Sequence, residues 1–200
     1  LIATQPTSGP QRWRKLVEQL VRRSGCQVVL KLHPLEISRG SGADYVRVFD
    51  GMPGVRVIAE HADINDWLAA ADGVVVESST VGLEAMLHGK PTFVLRTRQP
   101  DRDYAYYTGL GTLALSDPVK LAERIAAVLG SSLRMAYAHR IRQQFLKRAY
   151  PVALSAPVLA RTIAEWTGGG RGTMESAFEG RLVKSGRAEA IRMASASADL

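Results

Sequence analysis

Three consecutive hydroxyl residues, Ser78, Ser79 and Thr80, lie between a valine run and a helical pattern. The free N–H groups and the dipole at a helix start favour anions, and the three hydroxyls add hydrogen-bond donors for phosphate oxygens. Glu84 lies four residues beyond Thr80 on the same helix face, about 6 Å along the axis, which is roughly the span from a nucleotide phosphate to its ribose. Gly82, in the same turn, leaves room for a close approach. The segment therefore indicates a phosphate and ribose site; the alternative is that the hydroxyls only cap the helix and that Glu84 is solvated.

Polar residues also end the other apolar runs of the chain. Gln5 and His33 each end such a run, and each is followed by proline, which stops strand pairing at that point. Arg96 ends a later run, and the charged segment 97–103 after it suits a diphosphate or an acidic sugar, with mutual screening of its charges as the alternative. His61 ends a further run, with a structural role as the alternative. Ligands of open parallel sheets bind outside the carboxyl ends of the strands, so we expect these side chains to meet the hydroxyl segment in one crevice.

Short apolar runs alternate with helical patterns along the chain. They predict strands at residues 1–4, 28–32, 55–59, 74–76, 91–95 and 112–115, with helices at about 10–21, 63–71, 81–88 and 118–129. The stretch 36–42, which is rich in Gly and Ser, is predicted to be a loop. Strands of continuous Val, Ile and Leu that alternate with helices predict an α/β fold, a doubly wound, Rossmann-like parallel sheet with helices on both faces.

The chain divides into three predicted parts. Residues 1–130 form the α/β domain, and residues 131–167 form C-terminal basic helices that pack on it. The segment 131–150 carries five Lys or Arg and no acidic residue, so its basic face is either solvated or lies against anionic lipid or another domain. Residues 168–200 are rich in Gly, Ala and Ser, cannot bury enough apolar surface to offset ordering, and are predicted to be a disordered tail.

The composition is typical of a folded protein and excludes several classes. Of the 200 residues, 46% are apolar and 22% charged, which excludes wholesale disorder. No run reaches the roughly 18 apolar residues of a membrane span, and no signal peptide is seen, so we expect a cytoplasmic protein, free or in peripheral contact with the inner face of the membrane. A single cysteine and four scattered histidines predict neither a disulfide nor a metal site. The net charge of +7 favours anionic partners, and a start at Leu1, already in an apolar run, indicates a chain cut from a longer one.

Four motifs stand together in the first 130 residues. They are Thr4-Gln5-Pro6, Leu30-Lys31-Leu32-His33-Pro34, the segment from Glu77 to Ala85, and His88-Gly89-Lys90-Pro91. This combination resembles the C-terminal nucleotide-binding half of GT-B glycosyltransferases, and most nearly that of bacterial capsule polysaccharide enzymes. Kdo transferases of capsule synthesis carry paired Gln-Pro and His-Pro motifs, and teichoic-acid glycerophosphotransferases carry a comparable His-Pro and Ser-Ser segment.

The resemblance implies a nucleotide-sugar-binding half that transfers a sugar from a CMP-, CDP- or UDP-linked donor to a growing capsular or other surface polysaccharide. It implies that His33 is the catalytic residue, which holds or neutralises the donor phosphate, and that Glu84 binds ribose. Ser78, Ser79 and Thr80 are implied to bind phosphate, and Gln5 and Arg96, on the same rim, complete the predicted donor site. The acceptor, a glycan or a lipid-linked glycan, is served in such enzymes by an N-terminal domain that this sequence does not show. The chain alone is therefore expected to bind donor without turnover, with no cofactor, metal or nucleic acid.

Two alternatives remain open at this stage. Glu77 and Glu84 reproduce a seven-residue spacing found in non-hydrolysing UDP-GlcNAc 2-epimerases, but those enzymes have a Gly-Gly turn and adjoining glutamates where this chain has Ser79-Thr80 and Leu83-Glu84. The second alternative, from another class, is a non-enzymatic binder of RNA or anionic membrane, which the positive charge favours. The sequence lacks the interleaved aromatic and basic residues of RNA-binding sheets, and this argues against RNA binding.

Overall fold

The structure is a computed structural model that describes residues 1–96 and 107–149 of the chain. Within these ranges there are six strands: β1 (Ile2–Ala3), β2 (Val28–Lys31), β3 (Val55–Ile58), β4 (Val74–Val76), β5 (Thr92–Leu95) and β6 (Ala114–Leu115). They form one sheet in the order β3-β2-β1-β4-β5-β6, in which every neighbouring pair is parallel. This order places β1 and β4 side by side in the middle of the sheet.

Helices flank the sheet, and those between β1 and β5 connect its successive strands. In the described part of the chain they are α1 (Gln11–Ser24), α2 (Pro34–Ser38), α3 (Gly42–Phe49), α4 (Ile64–Ala70), α5 (Val81–Leu87), α6 (Pro118–Leu129) and α7 (Ser132–Ala149), with a 3-10 turn at Gly111–Leu113. The fold is therefore α/β and doubly wound, with a Rossmann-like parallel sheet, as the alternation of apolar runs and helical patterns predicts.

The core lies where the helices cover the sheet. Strands β4 and β5 are buried along their whole length, as expected for parallel strands covered on both faces. Helix α1 buries the predicted apolar face, which includes Trp13, Leu16 and Leu20, and packs on α6. The facing side of α6 buries Leu121 and Ile125. The helical period of apolar residues in α1 and α6 therefore determines which faces meet.

Two sequence predictions of local structure are wrong. The stretch 36–42 is not a loop, because α2 runs through its first half and α3 begins at its last residue. Helix α2 has five residues, too few to show a helical period, and its start is stabilised by a capping box formed by His33 and Glu36. The strand predicted at 112–115 is shortened by the 3-10 turn at Gly111–Leu113, where Gly111 has a φ of +53°. Only its last two residues pair with β5.

The basic segment that follows the α/β domain forms helix α7. Its buried side chains are Ala138 and Phe145, and the Phe145 ring stacks on Tyr107 with the ring centroids 5.9 Å apart. Nη1 of Arg142 donates a hydrogen bond to the carbonyl of Met86 at 2.6 Å. One basic side chain of α7 therefore contacts the last turn of α5 instead of pointing into solvent.

Several predictions fall partly or wholly outside the described residues. These are the helix expected from Pro157 to Trp166 and the disordered tail at 168–200, and the domain boundaries at 130 and 167 stay predictions. No helix in residues 1–96 and 107–149 combines the length and apolarity needed to cross a membrane. In the same two ranges, no group of three or more His, Cys, Asp or Glu side chains could hold a metal ion.

Asp117 caps α6, as its place before Pro118 predicts. Its Oδ1 accepts the N–H groups of Lys120 at 3.2 Å and Val119 at 2.8 Å, and these bonds hold the pKa of Asp117 below its ordinary value of 3.8. The carboxylate therefore stabilises the fold above the unfolded-state pKa, and this contribution is lost as the pH falls through the lower folded-state pKa.

We expect Asp117→Ala to lower the melting temperature at neutral pH, and the difference from wild type to shrink as the pH approaches about 2. Asp117→Asn is the control, because an asparagine side chain can also accept the capping hydrogen bonds. Thermal unfolding followed by circular dichroism at both pH values measures the effect. Equal melting temperatures of wild type and Asp117→Ala at neutral pH would contradict this account of the cap.

Candidate functional site

The middle of the sheet is where a ligand crevice is expected in this fold. From β1 the chain moves outward to β2 and β3, and from β4 it moves the other way to β5 and β6. The connections that leave β1 and β4 therefore run in opposite directions. In open parallel sheets, ligands bind in the space between two such connections, just outside the carboxyl ends of the strands. Gln5 follows β1 and Ser78 follows β4, so the two residues flank this crevice.

Gln5 and Ser78 are in direct contact across the crevice. Oε1 of Gln5 accepts hydrogen bonds from the Ser78 hydroxyl at 2.9 Å and from the Ser78 backbone N–H at 3.2 Å. Both side chains are half-buried. The amide nitrogen of Gln5 makes no hydrogen bond to another residue of the described ranges, so it remains available as a donor. The structure therefore brings together two predicted site residues that are 73 positions apart in the chain.

Arg12, in the first turn of α1, links the ends of β4 and β5 at the same crevice. Its Nε donates to Oε1 of Glu77 at 2.8 Å, and its Nη2 donates to the carbonyl of Arg96. The Glu77 side chain is 4% exposed and that of Arg12 is 25% exposed, so the arginine neutralises a buried carboxylate next to Ser78. The sequence analysis missed Arg12. A signal was present, since the dipole at a helix start favours acids and this helix begins with a cation and no acid.

His33 is the N-cap residue of α2. Its Nδ1 accepts the backbone N–H of Leu35 at 3.1 Å, so the neutral ring carries its hydrogen on Nε2. Within the described residues Nε2 has no hydrogen-bond partner, and the side chain is half-buried. Strand β2 lies next to β1, and neighbouring strands are about 4.8 Å apart, so His33 emerges one strand away from Gln5.

A buried carboxylate, Glu36, contacts the backbone of His33, and the sequence analysis also missed it. Its Oε2 accepts the backbone N–H of His33 at 3.0 Å and the hydroxyl of Thr4, the residue before Gln5. The signal for it is the spacing of three residues between His33 and Glu36, which is that of a capping box. This spacing was not recognised as a capping box because histidine is not among the usual capping residues.

The three hydroxyl residues after β4 have different environments. The Ser79 hydroxyl accepts the N–H of Val81 at 3.3 Å, so for this residue the capping alternative applies. Thr80 is exposed and makes no capping bond with its side chain. Glu84 is half-buried, and its carboxylate has no hydrogen bond or ion pair to any residue that the structure describes. Ser78, Thr80 and Glu84 are therefore the members of this segment with side chains available to a ligand.

The room at Gly82 is filled by a side chain of the protein itself. A Cβ added there would lie 2.8 Å from Cζ of Tyr107 and 2.9 Å from Cγ2 of Val76. The Tyr107 hydroxyl passes this glycine to donate to the carbonyl of Ser79. The group that needs the close approach is therefore Tyr107, and Gly82 is required by packing.

The remaining predicted residues lie further from the centre of the crevice. Arg96 follows β5, its backbone N–H donates to Leu115 at 2.9 Å, and its half-buried side chain makes no hydrogen bond within the described part of the chain. The charged segment 97–103 lies outside the described residues. His61 is exposed and follows β3, the edge strand, which is three strands or about 14 Å from β4. The structure therefore does not bring His61 to Gln5 and Ser78.

Comparison with known proteins adds one finding. A family model described as "Capsule polysaccharide biosynthesis protein" matches residues 10–147 of the chain. A search of curated proteins finds no match. The matched range begins just before α1 and ends within α7, so it includes Arg12, His33, Glu36 and the segment from Ser78 to Glu84.

Proposed function

The chain belongs to the capsule polysaccharide biosynthesis protein family, and from this membership and the crevice between β1 and β4 we propose that it is the donor-binding part of a glycosyltransferase. The donor is a sugar activated by CMP, CDP or UDP, and the product is a capsular polysaccharide extended by that sugar. Acceptor binding and the base that activates the acceptor belong to a further domain, so this part alone binds donor without turnover.

The observation that carries the proposal is the contact of Gln5 with Ser78 at the point where the chain connections diverge. Three polar groups at the neighbouring strand ends and at the start of α5 have donors without a partner among the described residues: the Gln5 amide, Nε2 of His33 and the hydroxyl of Thr80. Several neutral donors of this kind suit an anion with several oxygens, as a nucleotide phosphate has. Family membership supports the same class of ligand, since polysaccharides are built from activated sugars.

Each of these side chains has a role in the proposed reaction. The Gln5 amide, the Thr80 hydroxyl and Nε2–H of His33 donate to phosphate oxygens, and His33 thereby stabilises the negative charge that develops on the departing nucleotide. Arg12 adds positive charge at the crevice while it holds Glu77. Glu84, without a partner among the described residues, accepts the two hydroxyls of the ribose. Binding the phosphate and the ribose together fixes the transferred sugar's reacting carbon for attack by the acceptor.

We expect CMP, CDP or UDP to raise the melting temperature of the protein in a saturable way, because a ligand that binds only the folded state stabilises it. Glu84→Ala is expected to weaken binding of the preferred nucleotide by about tenfold, the effect of losing a hydrogen bond to a charged group. His33→Ala should weaken it similarly. Isothermal titration calorimetry on the full chain measures the affinities.

Asp66→Ala is the matched control, because Asp66 is an exposed carboxylate in the first turn of α4. The neighbouring Asn65 contacts His88 at the C-terminal end of α5, away from Thr80 at its start. The Asp66→Ala variant should bind nucleotide as wild type does. If no nucleotide binds, or if only polyanions bind and the affinity falls steeply with salt, the proposal is wrong and a non-enzymatic binder of RNA or anionic lipid takes its place. Interconversion of UDP-GlcNAc with its 2-epimer would favour the epimerase instead.

A further inference from the structure

We propose that Glu36 is a positioning residue of this site, which holds His33 in the orientation that presents Nε2–H to the ligand; the inference rests on the proposed function for the identity of that ligand. Glu36 does not reach the crevice itself. It acts through the backbone of His33 and through the end of β1.

The Glu36 carboxylate joins the ends of two neighbouring strands. Oε2 accepts the backbone N–H of His33, two residues after β2, and the hydroxyl of Thr4, directly after β1. The next residue after Thr4 is Gln5, which contacts Ser78. One carboxylate oxygen therefore fixes the backbone of His33 and the side chain of Thr4, the neighbour of Gln5.

Tyr45, in α3, holds the second oxygen of the carboxylate. Its hydroxyl lies 2.7 Å from Oε1 of Glu36 and 2.9 Å from the carbonyl of Ser8, which belongs to the loop between β1 and α1. Burial raises the pKa of Tyr45, and the neighbouring Glu36 carboxylate raises it further, so the phenol keeps its hydrogen as a donor. The group of Thr4, Glu36 and Tyr45 thus connects β1, α2, α3 and the loop after Gln5.

The burial of Glu36 has no explanation in packing alone. The residue is 3% exposed, and its carboxylate forms no ion pair within residues 1–96 and 107–149. Burial of a carboxylate held only by neutral donors is costly, and replacing buried charge with apolar side chains of similar volume is often neutral or stabilising. Local violations of this kind are expected where function constrains the residue. Here the carboxylate binds the backbone N–H of the predicted catalytic histidine, His33.

The consequence for His33 is a defined tautomer. Glu36 and His33 form a reciprocal capping box, in which the carboxylate holds the His33 N–H and the imidazole Nδ1 accepts the N–H of Leu35. With Nδ1 used as an acceptor, the neutral ring can only donate through Nε2. Removing the carboxylate frees one half of the box, so the ring can rotate and exchange its hydrogen between the two nitrogens.

The test compares Glu36→Met, Glu36→Gln and Tyr45→Phe with wild type in the full chain. For the preferred member of CMP, CDP and UDP, we expect Glu36→Met to weaken binding about tenfold and Glu36→Gln less than about threefold, because the amide oxygen still accepts the Thr4 and His33 hydrogens. In a His33→Ala background, Glu36→Met should add less than about a twofold loss, since residues that act together are not additive. Tyr45→Phe keeps the capping box but removes one donor to the carboxylate, so it should weaken binding less than Glu36→Met does, by about threefold or less.

A second measurement needs no ligand. Long-range proton–nitrogen correlation spectra, with the His33 signal assigned by its loss in His33→Ala, should show the Nε2–H tautomer in wild type and a mixture of tautomers in Glu36→Met. If Glu36→Met does not fold, Thr4→Val, which removes one donor to the carboxylate and keeps the side-chain shape, should still weaken nucleotide binding about threefold.

The proposal is overturned if Glu36→Met binds nucleotide like wild type, if its loss multiplies with that of His33→Ala, or if the His33 tautomer is unchanged. A wild-type protein that binds no nucleotide refutes the proposed function instead, and the tautomer measurement then decides by itself whether Glu36 orients His33. Both results are therefore distinguishable.

Discussion

Arg12→Leu is expected to lower the free energy of unfolding by about 2–3 kcal/mol, because it leaves the carboxylate of Glu77 buried without its cation. Glu77 is 4% exposed, so little water can replace the guanidinium. The same substitution removes the hydrogen bond from Arg12 to the carbonyl of Arg96, which links α1 to the end of β5. Urea unfolding followed by tryptophan fluorescence measures the loss.

Arg14→Leu is the matched control for this prediction. Arg14 lies two residues further along α1 and pairs with Glu18 at 2.9 Å, but the two side chains are 50% and 38% exposed. An exposed pair of this kind contributes roughly 0.5 kcal/mol or less. Adding Glu77→Gln to Arg12→Leu should restore much of the stability, because a neutral amide is cheaper to leave buried than a carboxylate. Equal losses for Arg12→Leu and Arg14→Leu would show that burial of Glu77 is not the cause.

Gly82→Ala is expected to destabilise the protein by about 2 kcal/mol, although alanine is the better helix former by about 1 kcal/mol. The added Cβ would lie 2.8 Å from the ring of Tyr107 and 2.9 Å from Val76, and neither neighbour is the free end of a flexible side chain. Overpacking in a well-packed core costs about 1–3 kcal/mol, and with two close contacts we expect the upper value, which leaves about 2 kcal/mol after the gain in propensity. The shift in the urea midpoint measures the balance.

The control for Gly82→Ala is Gly9→Ala, because a Cβ at Gly9 meets nothing within 4 Å. Its stability should stay within about 0.5 kcal/mol of wild type. In a Tyr107→Leu background, Gly82→Ala should cost less, since the clashing ring is gone and contacting residues are not additive. Wild-type stability of Gly82→Ala would mean that Tyr107 does not occupy the space beside the glycine.

These two variants separate the structural supports of the crevice from the groups that we propose to meet the donor. Arg12 and Gly82 hold the ends of β4 and β5 and the start of α5 in place, so their loss is visible in unfolding without any ligand. Glu84 has no partner among the described residues, so its replacement should change nucleotide affinity with little change in stability. His33→Ala should change the affinity as well, but it also removes the N-cap bond of α2 and should lower the stability. A protein that follows this division has a preformed crevice with free polar groups, which is the arrangement that donor binding needs.

Local patterns were sufficient for most of the elements and for part of the site. The apolar face of α1, the cap at Asp117 and the polar residues at the strand ends could be predicted, because each depends on residues a few positions apart. Helix α2 could not, since five residues show no helical period and its capping residue is a histidine. The sequence predicted a close approach at Gly82 but not that Tyr107 makes it, because the two residues are 25 positions apart.

The sequence by itself determined that this protein is a parallel α/β fold with polar residues at the carboxyl ends of its strands. Only the tertiary structure decided which of those residues meet. Gln5 contacts Ser78, and Arg12 contacts Glu77 at a separation of 65 residues, because β1 lies between β2 and β4 in the sheet. No local pattern encodes that order. The physical reason is the size of two opposing energies. The helix dipole disfavours Arg12 by a few tenths of a kcal/mol, whereas leaving the buried Glu77 carboxylate without a cation costs several times as much. The strand order brings the two side chains together, so the larger energy decides.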